Sequence, residues 1–186
     1  HVSDATSAGS LHFAAVSLGR ESLGSMVEQS NLLRELHRAC AARPTLKRLY
    51  ARLDGIEQTD HSVNLGLDTE RPVRASIVLA CDGANSSVRE GLNISPRRED
   101  FKQHAIVANV DFERAHGAIA RQKFLKHGPL AILPLAPARH AAIVWTTTPE
   151  LAASALSSSD AKFLSELSPI FERELGQAVV TSERRS

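Results

Sequence analysis

Ile77-Val78-Leu79-Ala80-Cys81-Asp82-Gly83-Ala84-Asn85-Ser86-Ser87-Val88-Arg89 is the stretch that organises this chain. An apolar run ends abruptly in Asp-Gly, small polar residues follow, and an arginine closes the segment. Such a pattern predicts a buried strand breaking into a tight turn. Gly83 supplies backbone freedom and close approach, Asp82 an acceptor, and Arg89 a fixed positive charge. Together they suit a sugar-phosphate ligand such as a nucleotide cofactor. Cys81, beside Asp82, is expected to be a small buried hydrophobe.

Upstream, Leu11-His12-Phe13-Ala14-Ala15-Val16 predicts a strand after the turn Ser7-Ala8-Gly9-Ser10. Leu32, Leu33, Leu36 and Cys40 recur at helical spacing, with Ser30 or Asn31 as cap and Pro44 as stop. Val63, Leu65 and Leu67 alternate as a half-buried strand. The turn at Asp68-Thr69-Glu70-Arg71-Pro72 leads back through Val73, giving a small antiparallel ribbon that feeds the Asp-Gly turn.

Downstream, four strands are expected: Ala105–Val110, Ala120–Leu125, Gly128–Leu135 and His140–Thr147, the last two joined by a hairpin at Ala136-Pro137-Ala138-Arg139. The prolines in the third argue for an edge, a bulge or a cavity-facing backbone. Ser159-Asp160 cap a final helix carrying Phe163, Leu164, Leu167 and Phe171, kinked at Pro169 and ended near Gly176. That helix is expected to pack on the sheet, with Trp145 in the core.

The chain has 186 residues, 42% hydrophobic and 23% charged, with a net charge of +1. These values suit a globular protein with a sizeable core and give no electrostatic case for nucleic acid. Cys40 and Cys81 lack metal spacing, which points to a reduced, cytoplasmic setting. His104, His116, His127 and His140 are scattered without zinc-type pairing and read as surface or hydrogen-bonded side chains. No run reaches the roughly 18 apolar residues of a membrane span. The polar end at Thr181–Ser186 and the opening at His1 both read as cuts in a longer protein.

Asp82-Gly83-Ala84-Asn85-Ser86-Ser87-Val88-Arg89 after an apolar strand resembles the Asp-Gly motif of flavin-dependent aromatic hydroxylases related to para-hydroxybenzoate hydroxylase. The helix opening Val27-Glu28-Gln29-Ser30-Asn31-Leu32 occupies the place expected in that family. Gln103–Val110, Lys123-Phe124-Leu125, Gly128–Leu135 and Ile143-Val144-Trp145 are similar to its ubiquinone-biosynthesis subgroup. His1-Val2-Ser3-Asp4 looks like the corresponding stretch of members acting on 2-polyprenyl-6-methoxyphenol.

The resemblance implies an α+β fold: a mixed or antiparallel substrate-domain sheet with flanking helices, plus part of a flavin-binding α/β domain. It divides the chain into 1–25, the start of the substrate sheet; 26–94, a partial FAD domain; 95–176, the substrate-binding sheet and its covering helix; and 177–186, a return to the FAD domain. It gives Asp82, Gly83 and Arg89 to the flavin pyrophosphate and reduced nicotinamide, and Gln29 to the flavin phosphate or ribityl chain. Leu130, Ile132, Leu133 and Pro134 become the wall of the substrate pocket. Chemistry resides in FAD, NAD(P)H and molecular oxygen, while the protein positions a polyprenylated phenol and excludes water. No protein nucleophile and no metal are implied. A quinone-biosynthesis complex and a peripheral position on the inner membrane follow as implied partners and location.

No Gly-x-Gly-x-x-Gly fingerprint occurs, and the family's later Gly-Asp motif is missing. Both are expected before His1 and after Ser186, so the isolated piece is expected to bind flavin weakly or not at all. Two other functions fit the same residues: a non-catalytic interaction module, and a related flavin hydroxylase of a soluble aromatic substrate.

Overall fold

The computed structural model describes residues 1–69 and 71–186, with Val180 described by its backbone alone. Two compact units emerge, His1–Leu36 with Asp100–Ser186, and His37–Glu99. Glu70, in the expected turn before Val73, lies outside the described residues.

The first unit is built on a seven-stranded sheet in the order β10-β6-β9-β8-β7-β1-β2. Its strands are β1 (Val2–Asp4), β2 (Ser10–Leu11), β6 (His104–Phe112), β7 (Arg121–Leu125), β8 (Gly128–Pro134), β9 (His140–Thr147) and β10 (Ala178–Thr181). All neighbours run antiparallel except β1 and β7, which are parallel, so the sheet is mixed. The four strands expected between residues 105 and 147 are all present, and the hairpin after β8 turns through a cis Ala136-Pro137 bond.

Alternation along these strands gives each face its character. Ile106, Ala108, Val110 and Phe112 of β6, Leu130 and Ile132 of β8, and Ala141 and Ile143 of β9 are buried on one face. Two helices cover it: α3 (Pro149–Ser157), through Ala152 and Ala155, and α4 (Asp160–Leu175), through Phe163, Leu167, Phe171 and Leu175. The four apolar residues of α4 recur at every fourth position, which puts one stripe on the sheet. Trp145 packs against this core, its ring 6.2 Å from that of Phe163.

Ser159 caps α4 through the N–H of Lys162, and Gly176 ends it with φ of 71°. Pro169 interrupts the hydrogen-bond ladder, and Phe171 leaves helical geometry at φ −129° and ψ 20°. Ser168 meets the break: its hydroxyl donates to Leu164 O and accepts from the N–H of Ala178, tying α4 to β10. His116, buried in the β6–β7 connection, accepts from the N–H of Ala118 at Nδ1, so its Nε2–H donates to Leu135 O.

The second unit holds an antiparallel ribbon of β3 (Leu53–Gln58), β4 (Val63–Leu67) and β5 (Val73–Ala75), followed by the short helix α2 (Ser87–Gly91). Helix α1 (Gln29–Ala41) carries residues of both units.

Several expectations are corrected. Of the first expected strand, Leu11–Val16, only Leu11 pairs, joined by Ser10 of the expected turn, while Ala15–Leu18 winds into a 3-10 turn ended by Gly19 at φ 64°. Ser30 and Asn31 lie inside α1, which begins at Gln29, and the Asn31 amide donates to the Glu28 carboxylate. Ile77–Ala80 forms no strand, and Cys81 is exposed rather than buried. Strand β8 is interior: Pro129 and Pro134 stand near its two ends, where a missing N–H disturbs the ladder least. Helix α3 was not anticipated, although Thr148 as cap and Pro149 in the first turn are its ordinary start signals.

Candidate functional site

The Asp82-Gly83 corner lies in the second unit and is organised by its own side chains. Gly83 has φ of 86°, and no atom stands within 4 Å of where a Cβ would project. The backbone there is both left-handed and open, as close approach by a ligand requires. Ser86 caps α2, its oxygen accepting from the N–H of Arg89 at 3.0 Å. Asp82 Oδ2 accepts from the N–H of Val88 at 3.2 Å, and Arg89 Nη2 donates to Ala84 O at 2.5 Å. Acceptor, glycine and cation are therefore held in one turn by local bonds.

The Ser86 hydroxyl, and after it the Val88 N–H, hold the Asp82 carboxyl below the usual carboxylate range. A lowered folded value means the contribution is present above the unfolded value of about 3.9 and lost as pH falls through the folded one. Acid titration followed at the Val88 amide by NMR should show release of this contact below that pH. The Asp82→Asn variant should remove the transition; an unchanged Val88 titration in that variant would refute the assignment.

Gln29, in the first unit, is the exposed first residue of α1. Its neighbour Glu28 is the better-anchored side chain. Glu28 Oε1 accepts from the Asn109 amide of β6 at 3.0 Å, and Oε2 accepts from Asn31 at 3.0 Å. The start of α1 is thus tied to the sheet face away from α3 and α4.

That second face is where the four expected pocket residues separate. Leu130 and Ile132 are fully buried in the helix-covered core, and Pro134 continues their row half-buried. Leu133 alone points to the other face. All four were expected on one wall; the two-residue period of a strand divides them, and Leu130 and Ile132 are core. Cross-strand register assembles the second face row by row. Leu133, Ala142 and Asn109 are successive neighbours across β8, β9 and β6, as are Ala131, Val144 and Val107. On β9 and β6 the next row is His140 with Asp111, Nδ1 and Oδ1 being 2.6 Å apart. The result is an apolar floor edged by Asn109, Asp111 and His140.

Sequence reasoning missed Glu28, Asn109 and Asp111, and treated His140 as one of several scattered histidines. Polar residues at every second position of an apolar strand mark Asn109 and Asp111, whereas Glu28, just before α1, carries no such signal. Among the described residues no three His, Cys, Asp or Glu side chains gather as a metal site. No helix among them is long and apolar enough to cross a membrane.

This mixed sheet with its helices is similar in fold to solved flavin monooxygenase structures. Solved structures of this fold include p-nitrophenol 4-monooxygenase PnpA from Pseudomonas putida, with 22% identity, a TM-score of 0.57, and coverage of 84% of this chain and 38% of that one. PqsL from Pseudomonas aeruginosa gives 19% identity and a TM-score of 0.63 over 76% of this chain and 39% of its own. The chain belongs to the FAD binding domain family, whose model matches residues 5–185. Its curated relatives include ubiquinone hydroxylase UbiL of Rhodospirillum rubrum, 33% identical over 89% of this chain and 38% of the relative. Another is 3-demethoxyubiquinol 3-hydroxylase of Escherichia coli, 30% identical over 88% of this chain and 42% of the relative. The chain therefore spans about two fifths of the length of these relatives.

Proposed function

We propose that this chain forms part of an FAD- and NAD(P)H-dependent monooxygenase that hydroxylates a polyprenylated phenol in ubiquinone biosynthesis. The carrying observation is the second sheet face, whose apolar floor of Ala131, Leu133, Ala142 and Val144 ends in Asn109, Asp111 and His140. An aromatic ring with a long apolar tail and a polar hydroxyl matches that division of chemistry. The ubiquinone hydroxylases among its relatives support the same substrate class.

Open backbone at Gly83 and the fixed charges of Asp82 and Arg89 fit a sugar-phosphate ligand. In this reading Asp82, Gly83 and Arg89 hold the flavin pyrophosphate and face the nicotinamide, with Gln29 on the phosphate or ribityl chain. Bound FAD would supply the redox chemistry, accepting hydride from NAD(P)H and placing one atom of dioxygen on the ring. The chain's own residues do the rest: Leu133 and its row seat the ring and exclude water, and Asn109 orients a polar substituent. A prenylated phenol partitions into lipid, so the protein works peripherally at the inner membrane.

The test is flavin retention by the protein extended to the full length of its relatives, read from flavin absorbance and fluorescence. Wild type should retain flavin, and Arg89→Ala should weaken binding about tenfold, as expected for one charge-assisted contact. A full-length protein that never retains flavin would sink the proposal.

A further inference from the structure

Asp111 and His140 stand directly opposite each other on β6 and β9, with His140 Nδ1 2.6 Å from Asp111 Oδ1. A carboxylate only accepts, so Nδ1–H donates to it, and in the neutral ring the lone pair stands at Nε2. Neither side chain is sealed in the core: both are partly exposed, whereas their chain neighbours Val110 and Ala141 are fully buried beneath the helices. The imidazole therefore stands on the open face, one row from Leu133 and Ala142. An isolated surface ion pair contributes little to stability. Here the pair also closes one end of an apolar floor with a base of fixed tautomer.

We propose that His140 Nε2 accepts the proton of a phenolic hydroxyl seated on this floor, and that Asp111 is the positioning residue that fixes the imidazole. The inference rests on the second face being substrate-facing, as argued above. In the step, the phenol O–H bond breaks and an N–H bond forms at Nε2. The oxygen keeps the electron pair, and Asp111 stabilises the imidazolium. No oxidant or reductant is needed, and the resulting phenolate ring is more electron-rich, as hydroxylation favours.

The experiment uses 4-nitrophenol, whose anion is yellow, titrated into the full-length flavin-loaded protein at a pH where the free phenol is mostly neutral. Wild type should develop the anion band on binding, without any turnover. His140→Gln should bind the probe with similar affinity but with its ionised fraction lowered about tenfold or more, and kcat lowered about 10²-fold at nearly unchanged KM. Asp111→Asn, whose amide oxygen still accepts from Nδ1–H, should keep the fold and lose part of the anion band. An anion band in His140→Gln equal to that of wild type overturns the proposal, as does a loss of affinity in both variants with ionisation unchanged. A wild-type protein that binds flavin but no phenol defeats the reading of the face itself, a result distinct from either.

Discussion

Gly128→Ala is expected to cost about 2–6 kcal/mol, summing roughly 1–3 for backbone strain and roughly 1–3 for steric overlap. Gly128 opens β8 with φ of 134°, a region L side chains rarely adopt. An added Cβ would stand 2.3 Å from Thr146 O and 3.0 Å from the Thr146 carbonyl carbon. Both atoms belong to the backbone of β9, whose bonds to β6 and β8 leave it no room to move. A flexible side chain would yield; a central strand does not. Against a total stability of about 5–15 kcal/mol, the loss is a large fraction of the whole. Urea denaturation followed by the fluorescence of Trp145, the chain's single tryptophan, measures it. Gly19→Ala serves as the contrast. Gly19 also has positive φ, at 64°, but nothing lies within 4 Å of its Cβ position, so only backbone strain of about 1 kcal/mol is expected. Equal losses in the two variants would contradict the steric explanation.

Phe163→Ala should cost about 3–5 kcal/mol, the usual range for emptying a buried aromatic site. The ring has no exposed surface and lies among Trp145, the β-sheet core and the Arg184 guanidinium, whose central carbon is 4.9 Å from the ring centre. That guanidinium also donates to Ser158 O at 2.5 Å and lies 3.2 Å from Asp160 Oδ1. Phe163 therefore joins the start of α4, the sheet and the segment after β10. The expected signature is a lower urea midpoint with an unchanged slope, since the folded surface is nearly the same. Phe124→Ala, at a side chain 46% exposed, should cost less than about 1 kcal/mol. A similar cost at both positions would show that Phe163 is not the keystone of this core.

How much of this was legible beforehand depended on whether the deciding interaction was local. The strands at 104–147 and the helix at 160–175 were readable because runs of apolar and β-branched residues, Ser159 and Gly176 carry their own signals. The Asp82-Gly83 corner was readable for the same reason: its hydrogen bonds join residues at most six apart. Ile77–Ala80 misled because an apolar run states a preference for burial without naming a partner strand. Cys81 misled likewise, since its expected burial depended on that strand.

By itself, then, the sequence determined the mixed α+β architecture, the kinked helix that covers the sheet and the glycine-bearing turn between Asp82 and Arg89. Tertiary structure alone decided which face each strand residue meets. It sent Leu130 and Ile132 into the core and Leu133 to the open side, set Asn109 against Glu28 across 81 residues, and paired Asp111 with His140 across 29. The physical reason is register. A one-residue slip between strands exchanges their two faces, and what fixes register is the packing of α3 and α4 on one side of the sheet, a property no local stretch of the chain contains.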